Sequence, residues 1–142
     1  NRVYLMVGDG ELNEGQVWEG AMFASAKKID NLIWFVDWNK QQLDGNTKDV
    51  CDMGDLKAKF EAFGFNVQVI NGHCVKAIDD AIDAAKAVTD KPSVIILETI
   101  KGYGCSAAEG VVPNHHIAFK AGQLDGDIAR WQSEYDALMA QL

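Results

Sequence analysis

A strand–turn–helix–strand pattern near the beginning of the chain constrains the fold more than any other feature. A short apolar segment, Arg2–Val7, leads into the turn Gly8-Asp9-Gly10, and a helical pattern then precedes a second apolar segment, Leu32–Val36. Strands that alternate with helices in this way form parallel sheets with right-handed connections. The ends of these strands then lie at the same edge of the sheet, where α/β proteins bind their ligands.

The rest of the chain continues the alternation of helices and strands. The predicted elements are a helix capped by Asp55 and ending at Phe63, a strand over Phe65–Ile70, a helix over Val75–Val88, a strand over Ser93–Thr99 and a final helix over Asp127–Leu142. The polar and Gly-rich segments 39–54 and 101–110 are predicted to be loops. The pattern predicts one α/β domain over residues 1–142, a doubly wound parallel sheet with helices on both faces.

The first strand of this sheet has an unusual composition for the start of a domain. Arg2–Val7 carries the β-branched and apolar residues of a strand that is buried in the centre of a sheet. We therefore expect further strands beside it, supplied by additional upstream sequence or by another chain. On this interpretation the domain is incomplete at its N-terminus.

The composition argues against several classes of function. The formal net charge of −8 is opposite in sign to the basic surface that binds nucleic-acid phosphates. The apolar runs are far shorter than the roughly 20 residues of a membrane span, so neither a nucleic acid nor a membrane is an expected partner. The three cysteines are widely spaced, which is typical of reduced thiols in a cytoplasmic protein.

The residues that follow the first two strands carry oxygen ligands. Asp9 supplies a carboxylate, Asn39 supplies an amide oxygen, and Gln41 is the candidate for a backbone carbonyl from the loop beyond. Mg²⁺ prefers such oxygens and completes its shell with phosphate oxygens and water. Gly8 and Gly10 let a phosphate approach the backbone and tolerate unusual φ angles. The sequence therefore predicts a site for a divalent metal with a bound phosphate group.

Each part of this pattern also has a simpler interpretation. An Asp-Gly pair is most often a turn, and an Asn after a strand often caps the local backbone. The combination is more specific, because Gly-Asp-Gly directly follows one predicted strand and Asn39 follows the next strand along the chain.

The same residues resemble a known cofactor signature. Gly8-Asp9-Gly10, followed one helix and one strand later by Asn39, is similar to the thiamine diphosphate motif. The longer stretch from Gly8 to Gly45 resembles transketolases, in particular the N-terminal subunit of their two-subunit bacterial and archaeal forms. The similarity continues through Asn71-Gly72-His73 and the sequence ETIKGYG, to about Gly104.

The resemblance implies a thiamine diphosphate-binding fold and identifies the chain with the domain that binds the diphosphate. Asp9 and Asn39 would bind Mg²⁺ through their side chains and Gln41 through its backbone carbonyl, with Ca²⁺ or Mn²⁺ able to substitute. The cofactor-binding residues implied in this way are Gly8, Asp9, Gly10, Glu11, Asn39, Gln41 and His115.

The resemblance also implies catalytic roles. Glu14 matches an acidic residue that lies at the dimer interface of the family and couples two cofactor sites. His115 falls where the family has a His near the thiazolium ring and the substrate, and the adjacent His116 is the alternative. His73 is interpreted as a turn residue, and Lys101 lies near a strand end from which it could approach substrate or phosphate.

The implied activity is transfer of a two-carbon ketol unit from a ketose phosphate to an aldose, as in the pentose phosphate pathway. A separate subunit with a pyrimidine-binding domain would complete the site, within a homodimeric or heterotetrameric assembly. Two alternatives stay open. One is another thiamine diphosphate enzyme, such as a 1-deoxyxylulose-5-phosphate synthase or a dehydrogenase component. The other is a non-catalytic α/β assembly module.

Overall fold

The computed structural model describes residues 1–141 and contains a parallel sheet with helices on both faces. The strands are β1 (Val3–Gly8), β2 (Leu32–Trp38), β3 (Gln41–Gln42), β4 (Gly45–Asn46), β5 (Asn66–Asn71) and β6 (Ser93–Glu98). The helices are α1 (Gly15–Ala26), α2 (Thr47–Cys51), α3 (Leu56–Ala62), α4 (Val75–Lys86) and α5 (Asp125–Met139). The predicted last residue of the final helix, Leu142, lies outside the described residues.

The main sheet has the strand order β1-β2-β6-β5, and all of its pairs are parallel. On one face, α1 and α3 cover Trp34, Val36 and Ile96, and an aromatic group formed by Trp18, Phe60 and Trp34 fills the interface. On the other face, α4 packs small side chains against β2 and β6. The predicted fold class, an α/β parallel sheet with helices on both faces, is therefore confirmed.

Within residues 1–141, β1 has a single neighbouring strand, so the prediction that further strands cover its other side stays a prediction. β1 lies at the edge of the sheet, and its register pairs it with β2, from Val3 beside Leu32 to Gly8 beside Asp37. Val3 and Tyr4 are each 53% exposed and Met6 is 58% exposed. Composition reports how apolar a strand is, whereas its burial depends on which elements pack beside it.

The segment 39–54 is more ordered than the sequence predicts. It contains a small antiparallel hairpin, β3–β4, followed directly by α2. The backbone N–H of Thr47 donates to the carbonyl of Lys40 at 3.0 Å and ties the start of α2 to the end of β2. Short polar strands carry no hydrophobic alternation, so the pattern that identified the longer strands could not find this hairpin.

The helix that follows agrees with its predicted cap. The side chain of Asp55 accepts a hydrogen bond from the Ala58 N–H at 2.9 Å, which satisfies one of the free donors at the start of α3. Across residues 1–141, every helix is too short or too polar to cross a bilayer.

Candidate active site

A cavity of about 1080 Å³ opens at the carboxyl ends of the parallel strands. It is bounded by the segments that follow β1, β2, β5 and β6, and by the β3–β4 hairpin. All of the site residues predicted from the sequence line this cavity, namely Gly8, Asp9, Gly10, Glu11, Glu14, Asn39, Gln41 and His115. The topology therefore brings together residues that lie far apart along the chain.

Asp9 occupies the floor of the cavity and is only 1% exposed. Its backbone N–H donates to the Asp37 carbonyl at 3.1 Å, which extends the β1–β2 ladder by one residue. Its Oδ2 atom accepts a hydrogen bond from the Lys40 N–H at 2.6 Å. Burial raises the pKa of the Asp9 carboxyl to about 6, against the lowering effect of the Lys40 and Gly10 N–H groups, and the nearby Asp37 charge raises it further.

Lys40 adopts a left-handed backbone conformation with φ of 67°. Such a conformation is rare for residues other than glycine, asparagine and aspartate and costs free energy. It allows the N–H of Lys40 to point at Asp9 and its carbonyl to accept from Thr47. The loop after β2 thus holds the Asp9 carboxylate, which follows β1, through a backbone hydrogen bond.

Asn39 sits in a network with two residues that sequence reasoning missed as part of the site. Its Nδ2 group donates to Asp37 Oδ2 at 3.0 Å, and its Oδ1 atom accepts from the Gln41 N–H at 3.0 Å. The Thr99 hydroxyl, which follows β6, donates to the other oxygen of Asp37. The contact between Thr99 and Asp37 depends on the register between β2 and β6, which the sequence alone does not contain.

The two glycines of the turn differ in what surrounds them. A Cβ atom added to Gly8 would meet no protein atom within 4 Å, whereas one added to Gly10 would lie 2.8 Å from the Gln42 Cβ atom. Gly10 has φ of −63°, an ordinary helical value, so the fold does not need glycine here for an unusual φ angle. Gly10 is required for close packing against the hairpin, and Gly8 leaves open space beside the cavity wall.

Two acidic residues that follow the turn lie at the mouth of the cavity. Glu11 begins a short 3-10 turn, Glu11–Asn13, and its Oε2 atom accepts from the Gly8 N–H at 3.3 Å. Glu14 is exposed, and it precedes the first residue of α1.

The opposite wall is built by residues after β5 and β6. The His73 ring accepts a hydrogen bond from the Ile100 N–H at 2.8 Å through Nε2 and stacks on Tyr103, with ring centroids 3.8 Å apart. His73 is therefore part of the cavity wall and more than the turn residue that the sequence suggests. Lys101 Nζ lies 3.4 Å from His115 Nδ1. Of the two adjacent histidines, His115 is the one that lines the cavity.

The donor set suits a cation that is bound only in part by protein. Among residues 1–141, no group of three or more His, Cys, Asp and Glu side chains is arranged to hold a metal. Asp9 instead accepts from backbone N–H groups, so its buried negative charge has no cationic side chain in contact with it. An ion bound by Asp9, the Asn39 oxygen and the Gln41 carbonyl would take its other ligands from phosphate and water.

Comparison with known proteins assigns the chain to a family. The sequence profile of the family described as "Transketolase, thiamine diphosphate binding domain" matches residues 1–137. The chain belongs to this transketolase family. The predicted resemblance is thereby confirmed.

Two curated transketolase relatives are subunits of larger enzymes. The 6-deoxy-6-sulfo-D-fructose transketolase subunit SqwG of Clostridium sp. (strain MSTE9) is 42% identical over 94% of this chain and 49% of its own length. An apulose-4-phosphate transketolase subunit from Actinobacillus succinogenes is 40% identical over 87% of this chain and 45% of its own length. The chain thus spans about half the length of the curated transketolase subunits that it matches.

The fold matches solved transketolases as well. A crystal structure of the Pichia stipitis transketolase in complex with sedoheptulose 7-phosphate superposes with a TM-score of 0.85 at 33% identity. The match covers 92% of this chain and 19% of that one. The sheet with its cavity therefore corresponds to one part of a much larger transketolase chain.

Proposed function

We propose that the chain is the diphosphate-binding part of a split transketolase, which transfers a two-carbon ketol unit from a ketose phosphate to an aldose with thiamine diphosphate and Mg²⁺. The observation that carries the proposal is the meeting of Asp9, Asn39 and Gln41 at one cavity, within a fold of the matching family. When bound, thiamine diphosphate supplies the carbanion chemistry that breaks and forms a C–C bond beside a carbonyl.

The first role of this chain is to anchor the charged end of the cofactor. The Asp9 carboxylate, the Asn39 side-chain oxygen and the Gln41 carbonyl would hold Mg²⁺, or Ca²⁺ or Mn²⁺ in its place. The open space beside Gly8 leaves room for a diphosphate next to the backbone. Gly10 and Glu11 would border the same group, and the cation would offset the negative charge that the cavity already carries.

The second role is to orient the substrate. A Lys ammonium can only donate, so the contact between Lys101 and His115 favours the tautomer in which Nδ1 accepts and Nε2 carries the proton. His115 can then donate from Nε2 to a hydroxyl or carbonyl oxygen of the sugar and move a proton there. Lys101 adds a positive charge that favours an anionic sugar.

The relatives support a ketose with an anionic end as the substrate. One relative is named for a sulfonated ketose and the other for a phosphorylated one. Both names describe subunits, which supports a separate partner with a pyrimidine-binding domain, in a homodimeric or heterotetrameric assembly. Glu14 is exposed at the start of α1 and is available to meet such a partner. We place this activity in the cytoplasm and in pentose phosphate metabolism.

Reconstitution tests the proposal. The chain is mixed with a candidate pyrimidine-domain subunit, thiamine diphosphate and Mg²⁺, and ketol transfer between ketose phosphates and aldoses is measured. We expect transfer with both chains, none with either chain alone, and loss of transfer in Asp9→Asn. Transfer by this chain alone at the rate of the complex would contradict the need for a partner.

The same assay separates the alternatives. A 1-deoxyxylulose-5-phosphate synthase would consume pyruvate with an aldose phosphate, so pyruvate in place of the ketose donor distinguishes it from a transketolase. A non-catalytic assembly module would bind the partner without any dependence on Mg²⁺ or cofactor. The burial of the Asp9 carboxylate without a cationic side chain in contact argues against such a module, because burial of a charge is costly.

A further inference from the structure

The orientation of the Asn39 amide is set by its neighbours. One side of an amide donates hydrogen bonds and the other side accepts them, so the rotation of the group decides whether a cation meets an oxygen or an NH₂ group. In the structure Nδ2 is turned to Asp37 Oδ2, and Oδ1 is on the side of the Gln41 N–H. An amide oxygen has two lone pairs, so Oδ1 keeps one for a further partner.

Asp37 contacts two of the three residues that are proposed to hold the metal. Its backbone carbonyl accepts from the Asp9 N–H at 3.1 Å, and its carboxylate accepts from the Asn39 side chain. Its other carboxylate oxygen accepts from the Thr99 hydroxyl. Each carboxylate oxygen is therefore held by a protein donor, and one of these donors is the Asn39 amide itself.

We propose that Asp37 is a positioning residue, which turns the Asn39 amide so that its oxygen faces the metal and the diphosphate. This inference rests on the proposed function, because it takes Asn39 as a metal ligand. A carboxylate suits the task better than a neutral acceptor, since a hydrogen bond to a charged oxygen is the stronger one. Without Asp37, the amide is free to turn its NH₂ group toward the cation.

Three variants separate this role from a general effect on the fold. Asp37→Leu removes the acceptor at similar volume, and Asp37→Asn restores an acceptor oxygen without the charge. Thr99→Val is the matched control, because it deletes the second hydrogen bond to Asp37 and leaves the bond to Asn39. Thermal unfolding first establishes that each variant is folded.

Two measurements are made on the full chain. The first is the NMR signal of the Asn39 side-chain NH₂ group in the absence of ligand. We expect one of its protons to be shifted and protected from exchange in the wild type and in Asp37→Asn, and to become free in Asp37→Leu. The second is the Mg²⁺ concentration needed for thiamine diphosphate to quench tryptophan fluorescence. We expect Asp37→Leu to raise it about 10- to 100-fold, with partial recovery in Asp37→Asn and little change in Thr99→Val.

The outcomes distinguish a failure of this inference from a failure of the proposed function. Equal Mg²⁺ dependence in Asp37→Leu and the wild type would overturn the positioning role, as would an equal loss in Thr99→Val. If the wild-type chain shows no Mg²⁺-dependent response at all, the proposed function fails. The NMR signal of Asn39 still decides in that case, because an unchanged NH₂ group in Asp37→Leu would show that Asp37 does not orient it.

Discussion

Burial disfavours the ionised form of the Asp9 carboxyl in the ligand-free folded chain. Its pKa of about 6 in the folded chain is above the value of 3.8 for an unperturbed Asp, and burial is the main cause. Between these two values the folded chain binds more protons than the unfolded chain, so a rise in pH through this window destabilises the fold. A cation bound to Asp9 would stabilise the ionised carboxylate and so offset the cost of burying its charge.

We predict that Asp9→Asn stabilises the ligand-free chain at pH 8. The pKa difference of about two units sets an upper limit of about 3 kcal/mol, and the gain should shrink toward zero near pH 4. Urea unfolding at several pH values measures it. Asp44→Asn, at an exposed carboxylate of the same cavity, is the control and should change little. A destabilised Asp9→Asn at pH 8 would contradict this account.

We predict different effects for an alanine substitution at Gly8 and at Gly10. Gly10→Ala places a Cβ atom 2.8 Å from the Gln42 Cβ atom, so we expect a loss of about 1–3 kcal/mol in unfolding free energy. Gly8→Ala meets no protein atom within 4 Å and should leave stability almost unchanged while it weakens cofactor binding. Denaturant unfolding and cofactor titration of both variants provide the comparison. Equal stability losses would show that the two glycines have the same role.

The sequence predicted the residues of the site better than it predicted their partners. Asp9 and Asn39 could be found because parallel topology places the ends of adjacent strands together. Asp37 and Thr99 carried no such signal, since an Asp within an apolar strand and a Thr after another become neighbours only through the β2–β6 register. Hydrogen-bond partners of this kind depend on atomic distances that a residue pattern does not specify.

At the scale of elements, His73 joins the segments that follow β5 and β6. We predict that His73→Leu frees the Ile100 N–H and loosens the loop that carries Lys101, because the ring acceptor is lost. Hydrogen exchange of the Ile100 amide should accelerate in His73→Leu and less so in His73→Gln, which offers a new acceptor. Tyr103→Leu is the control, since it removes the stacking and keeps the hydrogen bond. Unchanged exchange at Ile100 in His73→Leu would contradict the prediction.

The long elements followed from hydrophobic pattern and the short ones did not. The existence of β2, β6 and α4 was clear from apolar runs and helical spacing, and the Asp55 cap located the start of α3. The β3–β4 hairpin and α2 are brief and polar, so their order comes from tertiary contacts such as the bond from Thr47 to Lys40. The burial that the sequence predicts for β1 stays a prediction, because it depends on strands that the described residues do not supply.

For the whole molecule, the distribution of charge predicts that the cofactor needs a cation in order to bind. The chain has a net charge of −8, and the cavity is lined by the carboxylates of Asp9, Glu11, Glu14, Asp37 and Asp44. Lys101 is the lysine that faces them within the described cavity. A diphosphate that enters without a metal would meet this negative potential directly. We therefore predict that cofactor binding depends on a divalent metal held at the strand ends.

Titration of the chain with thiamine diphosphate, followed by tryptophan fluorescence, tests this claim most directly. Trp38 directly precedes Asn39 in the chain and is expected to respond to binding at the site. We predict saturable quenching with Mg²⁺ that inorganic diphosphate competes away, and no quenching with EDTA. The Asp9→Asn variant should remain folded and fail to respond. Equal binding in Mg²⁺ and EDTA, or no response of the wild type at millimolar cofactor with Mg²⁺, would contradict the account.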